Sequence, residues 1–233
     1  MINRAYKICM LSNKNTIVTS GLKLHLDAAN SVSYPGTGTT WFDLSGNNYN
    51  GTMSNITYSS TNGGILTFNG TSSFITTTLD STAKVGGMPV TVEFWINSDS
   101  STPVGIFDSA PNNTDVLRNY PGGTIEWWNS APAISMGLSA STWTHIVAAY
   151  STNANIPRRR LDLFRNGATF TGSSNQTGSS TTWAWTGLRL GDINNGTAGR
   201  YAGKLAIFRV YNIRFTATEA LQNYNAQKGR FGL

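Results

Sequence analysis

Four tryptophans stand in two tight groups, Trp127-Trp128 and Trp183-Ala184-Trp185. An indole offers a wide flat apolar face with one polar N–H, the surface on which a sugar ring lays its C–H bonds while neighbouring Asn and Arg side chains bind its hydroxyls. Trp127 and Trp128 are adjacent, so in a strand they point to opposite faces and at least one is available outside the core. Trp183 and Trp185 share a face, behind a polar stretch, residues 172–182, placed to rim a groove. These four are the candidate ligand-binding residues, because exposed paired tryptophans call for a ligand or a partner protein. A second cluster, Arg158-Arg159-Arg160 behind Pro157, reads as a basic loop placed for contact with an acidic partner.

Catalytic groups are harder to assemble. Cutting a glycosidic bond takes two carboxylates at close range, yet no two acidic residues sit two apart: Glu93 is followed by Trp95 and Glu126 by Trp128. Glu93, Asp108, Asp115 and Glu126 therefore have only cross-strand pairing open to them. There is no G-x-S-x-G elbow, and His25 and His145 are the only imidazoles that could serve as a base. Gly36-Thr37-Gly38 lies among turn formers without the rest of a nucleotide-binding fingerprint. The expectation is that the chain is not an enzyme and has no catalytic residues.

The elements that position these groups follow from composition and alternation. Among 233 residues only 12% are charged and 39% are hydrophobic, with 24 glycines, which suits many short strands joined by polar turns. One domain is expected, an N-terminal arm at 1–20 followed by a β-sandwich at 21–233. The single Cys9 excludes an intrachain disulfide and a cysteine zinc site. The apolar run at residues 8–11 is too short for a signal-peptide core or a membrane span. Six N-x-T sequons are what an Asn-, Gly- and Thr-rich chain generates by chance. From Arg158 onward eleven Lys/Arg face three acids, giving +8, while residues 1–157 sum to −2. Such asymmetry favours an acidic protein surface; the dispersed cations and missing motifs argue against nucleic acid.

Leu22, Leu24 and Leu26 alternate with Lys23, His25 and Asp27, the period of a half-buried strand. Trp41 is expected to turn inward from a loop rich in turn formers, with Asp43 capping the Ser45-Gly46-Asn47 turn. Residues 65–69 and 74–78 read as a hairpin around Gly70-Thr71-Ser72-Ser73. Val90, Val92, Phe94 and Ile96 share a core face opposite Thr91, Glu93 and Trp95. Residues 143–150 are apolar on both faces, as in a central strand, and His145 lies within it. Asn166-Gly167 is a hairpin turn. Thr216 and Glu219 form a capping box for a short helix with Ala220, Leu221 and Tyr224 on its apolar face. Trp41, Trp95 and Trp143 belong to the framework. The predicted fold is all-β, a jelly-roll sandwich with one short C-terminal helix.

The runs GLKLHLDAANSVSYPGTGTTWFDLSGNNYNGT and RYAGKLAIFRVYNIRFTATEALQNYNAQKGRF, with VTVEFWIN and WTHIVAAYSTNANIPRRRLDLFRNG in order between them, resemble the laminin G-like, concanavalin A-type lectin/glucanase sandwich. The likeness, over residues 20–231, is to the variant common among bacteriophage structural and adhesion proteins. It implies a non-enzymatic virion surface protein, a capsid decoration able to meet glycans or host surfaces. A tail adhesin or free lectin module is the alternative, and a degenerate glycoside hydrolase the third. The family's E-x-D-x-x-E signature for glycosidases is missing here. The resemblance also implies calcium at a loop rim, for which Asp192 and Asn194 are the candidate ligands, with Asp43, Asn47 and Asn48 a second set. Expected partners are capsid or tail proteins, glycans and further copies of the chain, without nucleic acid or membrane insertion. The expected location is the virion surface, after synthesis in the host cytoplasm.

Overall fold

Among the described residues, short alternating runs separated by Gly, Asn and Ser turns fold into sixteen strands, numbered in chain order. They are β1 (Leu22–Asp27), β2 (Thr40–Trp41), β3 (Gly51–Ser54), β4 (Thr57–Ser59), β5 (Ile65–Asn69), β6 (Phe74–Thr77), β7 (Val90–Ser98) and β8 (Val104–Ser109). The rest are β9 (Val116–Tyr120), β10 (Thr124–Trp127), β11 (Ile134–Ser135), β12 (Thr144–Asn153), β13 (Ile156–Arg165), β14 (Ala168–Thr177), β15 (Leu188–Leu190) and β16 (Ala202–Tyr211). A helix, α1 (Ala217–Gln227), and a 3-10 turn, Lys228–Phe231, close the chain. The computed structural model describes residues 16–79, 89–99, 104–109, 116–120, 124–127, 134–135, 138–153, 156–177, 187–192 and 199–233. Most of the expected arm, with Trp128, Trp183, Trp185, Asp115 and Asn194, lies outside them, as do the side chains of Trp127, Glu126 and Arg158 to Arg160.

The strands form two antiparallel sheets. The first runs β14-β13-β12-β7-β16-β5-β4, with β1 also paired to β16; the second runs β11-β10-β9-β8-β15-β6-β3-β2. Between them lies the main core, in which Leu24, Leu26, Val92, Phe94, Ile96 and Phe208 of the first sheet meet Met53, Ile75, Phe107, Leu188 and Leu190 of the second. Trp41 and Trp95 are fully buried and Trp143 packs on Phe231, as framework residues should. The expected all-β sandwich with a terminal helix is the observed fold.

The first sheet is apolar on both faces because both are covered. Behind it, Val147, Ala149, Phe164 and Tyr211 pack on Val18, Phe215 and Ala220, while Trp95 stacks on Phe231 with ring centroids 4.1 Å apart. The capping box forms as the sequence requires: Thr216 accepts from the Glu219 N–H and Glu219 reaches back to the Thr216 N–H. The helix is rotated relative to expectation, burying Asn223 beside Ala220 and leaving Leu221 46% exposed. The reason lies beneath it: a buried carboxylate, Glu93, receives the Asn223 amide.

Two further expectations are corrected. Residues 65–69 and 74–77 are not a hairpin, since β5 lies in the first sheet and β6 in the second. Asn69 Oδ1 accepts the N–H groups of Thr71, Ser72 and Ser73, and this Asx-type turn carries the chain across the sandwich instead of back along the same sheet. Arg158 to Arg160 are not in a loop; they continue β13, opposite Thr152 and Ser151 on one side and Thr177 to Asn175 on the other. Pro157 is accommodated where the β12–β13 register shifts, a position that demands no ladder N–H.

The Asn166-Gly167 turn has both residues at positive φ, 50° and 75°, and Asn166 Oδ1 accepts the His145 N–H. A Cβ on Gly167 would come within 3.0 Å of Tyr224 and Leu221 on α1. Gly167→Ala is expected to destabilise the protein by about 1–3 kcal/mol in urea unfolding, with Asn166→Ala falling at the lower end.

Candidate functional site

The first sheet's outer face is closed by α1, the final turn and residues 16–18, so its polar groups serve the interior. Glu93 on β7 is fully buried, and each oxygen has two partners. Oε1 accepts from Arg209 Nη1 and His145 Nε2, both at 2.9 Å; Oε2 accepts from Asn223 Nδ2 at 2.6 Å and the Tyr211 hydroxyl at 3.1 Å. Asn223 then accepts the Val18 N–H at 2.7 Å, tying the N-terminal segment to the same network. Burial alone would push the Glu93 carboxyl up, but the Arg209 guanidinium and the His145 ring outweigh it and hold it at about 2. His25, opposite Arg209 on β1, is pushed down to about 4 by burial and then by the Arg209 charge. Burial and the Glu93 charge raise the Tyr211 hydroxyl. Enclosed on every side, this cluster ties β1, β7, β12, β16 and α1 together.

The second sheet carries its side chains differently. Among the described residues, one continuous register row crosses five strands: Thr40 on β2, Thr52 on β3, Thr76 on β6, Arg189 on β15 and Asp108 on β8. Each alternates with a residue of the core, Trp41, Met53, Ile75, Leu188 or Phe107, so the row belongs to the opposite face, where Thr52 is exposed, Thr40, Thr76 and Arg189 are half-buried and Asp108 is buried. Beside it the Arg189 guanidinium lies 4.0 Å above the Phe74 ring, and Arg200 lies 6.0 Å from the same ring. Asp192 fixes both cations: its Oδ2 accepts from Arg189 Nε at 2.7 Å and stands 3.9 Å from Arg200 Nη2. Hydroxyls, a clamped guanidinium and an aromatic plane on one flat sheet can hydrogen-bond and pack against a polyhydroxylated ligand.

The carboxylates proposed for cross-strand pairing separate. Glu93 lies behind the first sheet and Asp108 on the far side of the second, with the main core between them. On β10 the Glu126 backbone pairs with Arg118, and Trp127 pairs with Leu117, which in turn sits opposite the core residue Phe107. His25 and His145 are on the covered face.

The calcium candidates do not fit a cation. Asp192 is engaged by two guanidinium groups, the wrong charge to set beside Ca2+. Asp43 accepts from the N–H groups of His25, Ser45 and Tyr49 and from Ser45 Oγ, so it caps the turn as expected with its lone pairs committed. Asn47 donates to Lys23 O, and Asn48 occupies a positive-φ turn position. Among the described residues no group of three or more His, Cys, Asp or Glu could hold a metal.

Phe74, Thr52, Thr76, Arg189 and Arg200 were not singled out from sequence. Their signal was a polar residue between two core residues, as in Leu188-Arg189-Leu190, but a single such triplet does not say which sheet it joins.

A family model described as the concanavalin A-like lectin/glucanases superfamily, laminin G type, matches residues 69–220. The chain belongs to this superfamily. A comparison with curated proteins gives no match. Solved structures of the same fold include the receptor binding domain of botulinum neurotoxin C/D mosaic serotype, with a TM-score of 0.69, 14% identity, and 90% of this chain against 52% of that one covered. Domain 4 of an extracellular arabinanase from Geobacillus stearothermophilus, in complex with arabinotriose, has a TM-score of 0.65 and 18% identity, covering 88% of this chain and 98% of that one. Trypanosoma rangeli sialidase in complex with sialic acid has a TM-score of 0.67 and 15% identity, covering 90% and 33%. The chain spans about half the length of the toxin domain, and these likenesses are of fold. Both the superfamily and its neighbours give this chain a lectin-like architecture.

The covered face sets the acid response of this lectin-like sandwich. His25 falls from an ordinary 6.5 to about 4, so between these values the unfolded chain binds a proton that the folded one refuses, and stability declines as pH falls through that window. Glu93 falls from 4.5 to about 2, so its contribution is complete above 4.5 and is lost as pH drops through 2. His25→Asn is expected to flatten the stability profile between pH 6.5 and 4. Glu93→Gln, which leaves Arg209 buried without a countercharge, is expected to lower stability by about 3–5 kcal/mol at neutral pH. Chemical denaturation at stepped pH reads both.

Proposed function

We propose that the chain is a non-catalytic glycan-binding module presented on a virion surface. The observation that carries the glycan reading is the polar row Thr40-Thr52-Thr76-Arg189, which lies on the outer face of the second sheet, while the outer face of the first is covered by the helix and the chain ends. A neutral polyol suits it: the hydroxyls offer both donor and acceptor, and Arg189 is already neutralised by Asp192. The superfamily is one of lectins and glucanases, and the arabinanase domain that covers 98% of its own length was solved with arabinotriose. Non-catalysis is supported by the separation of Glu93 and Asp108 on opposite sides of the core.

The virion setting rests on the phage-like closing run QNYNAQKGRFGL, which forms the end of α1 and the final turn. In this reading the module decorates the capsid or the tail, with the cationic C-terminal half facing an acidic neighbour. No helix among the described residues is long and apolar enough to cross a membrane.

A glycan array of neutral plant and bacterial oligosaccharides, arabino-oligosaccharides included, tests the site. Thr52→Ala and Arg200→Ala are expected to weaken binding to the best glycan by about tenfold, roughly 1.4 kcal/mol, while Leu221→Ser on the helix side leaves it unchanged. Equal binding by all four proteins, or release of reducing ends on incubation, would overturn the assignment. Cryo-electron microscopy of native particles tests the setting independently: density that fits this sandwich on a capsid or tail supports it, and absence from all particles leaves a free lectin.

A further inference from the structure

Arg209 is fully buried on β16 with one nitrogen used: Nη1 donates to Glu93. Among the described residues its Nε and Nη2 have no partner. These two nitrogens form the side edge of the guanidinium, where two N–H bonds run parallel and can both donate to one oxygen between them. On the neighbouring strand His25 Nε2 is also buried without a partner. His25 and Arg209 are direct partners in the β1–β16 ladder. Both alternate with core residues, Leu24 and Leu26 on one strand and Phe208 and Val210 on the other, so their side chains stand together on the face beneath α1. Directly opposed side chains in such a ladder have Cβ atoms about 5 Å apart. Three unmatched polar atoms therefore stand near one another in one enclosed place, and leaving each bare would cost its full desolvation penalty.

We propose that an internal water molecule occupies this place, accepting from Arg209 Nε and Nη2 and donating to His25 Nε2, and so joins β1 to β16 through a buried solvent bridge. Three hydrogen bonds are what an internal water ordinarily makes. A water fits better than an anion. The Arg209 charge is already matched by Glu93 at 2.9 Å, so an added anion would be a third buried charge without a partner. His25 is held neutral, so with its proton on Nδ1 the Nε2 atom accepts, which a water can use and a chloride cannot.

The bridge explains how β1 is held at the margin of its sheet. Its pairing with β16 shifts register between Leu22 and Leu24, and a side-chain link at His25 anchors the strand just beyond that irregularity.

A high-resolution crystal structure of the full chain, with a second crystal soaked in bromide, tests the assignment. The expected result is a solvent peak about 3 Å from Arg209 Nε, Arg209 Nη2 and His25 Nε2, with no anomalous bromide signal there. In solution, the Arg209 Nε–H should show a cross-relaxation peak to a long-lived water, and His25→Leu should abolish it. A carbonyl or other protein group seated on the Arg209 edge, a bromide peak in the site, or no water contact at Arg209 Nε–H would each overturn the proposal.

Discussion

A carboxylate with no access to water imposes the strictest condition in this protein. Glu93 stays ionised inside the fold only because four donors, from β12, β16 and α1, converge on its two oxygens. An isolated buried charge would be prohibitively unfavourable, and a partly satisfied one worse than an apolar core. Strand register and helix rotation are thereby coupled. β7 must lie between β12 and β16 for His145 and Arg209 to reach the same oxygen, and α1 must turn Asn223 inward at the expense of Leu221.

That condition divides the labour between the two sheets. The first spends both faces on stability: one on the main core, the other on a polar and aromatic underlayer of Trp95, Phe231, Tyr224 and the Glu93 network. Among the described residues the second has no helix on its outer side, where it carries threonine hydroxyls, Phe74 and an arginine held in place by Asp192. The guanidinium of the proposed binding surface is thus fixed before any ligand arrives.

The architecture was legible because period-two alternation, an Asn-Gly turn and a capping box are local signals with local causes. Leu24 and Leu26, Asn166-Gly167, and Thr216 with Glu219 all did what their chemistry requires. What failed depended on contacts distant in sequence. The helix face was misjudged because nothing near Asn223 announces a carboxylate 130 residues earlier. Residues 65–77 look like a hairpin because an Asx turn that changes sheets uses the same Asn, Gly and Ser as one that does not. The arginines at 158–160 look like a loop because Pro157 normally ends a strand, unless a register shift excuses it. The candidate surface was hidden for the same reason: its row takes one residue from each of five strands, and only sheet order lines them up.

The two ends of the described chain meet on one side. Thr16 accepts from Gln222, Val18 is tied to Asn223, and the final turn folds back so that Arg230 reaches Asp27 and the carbonyls of Asn62 and Gly64. A tether joined after Leu233 would consequently depart from the helix side, with the second sheet pointing away from whatever the tether is fixed to. Orientation is thereby built into attachment: a crowded array of such modules would turn all their threonine rows toward the surrounding medium without needing a specific lateral contact to aim them.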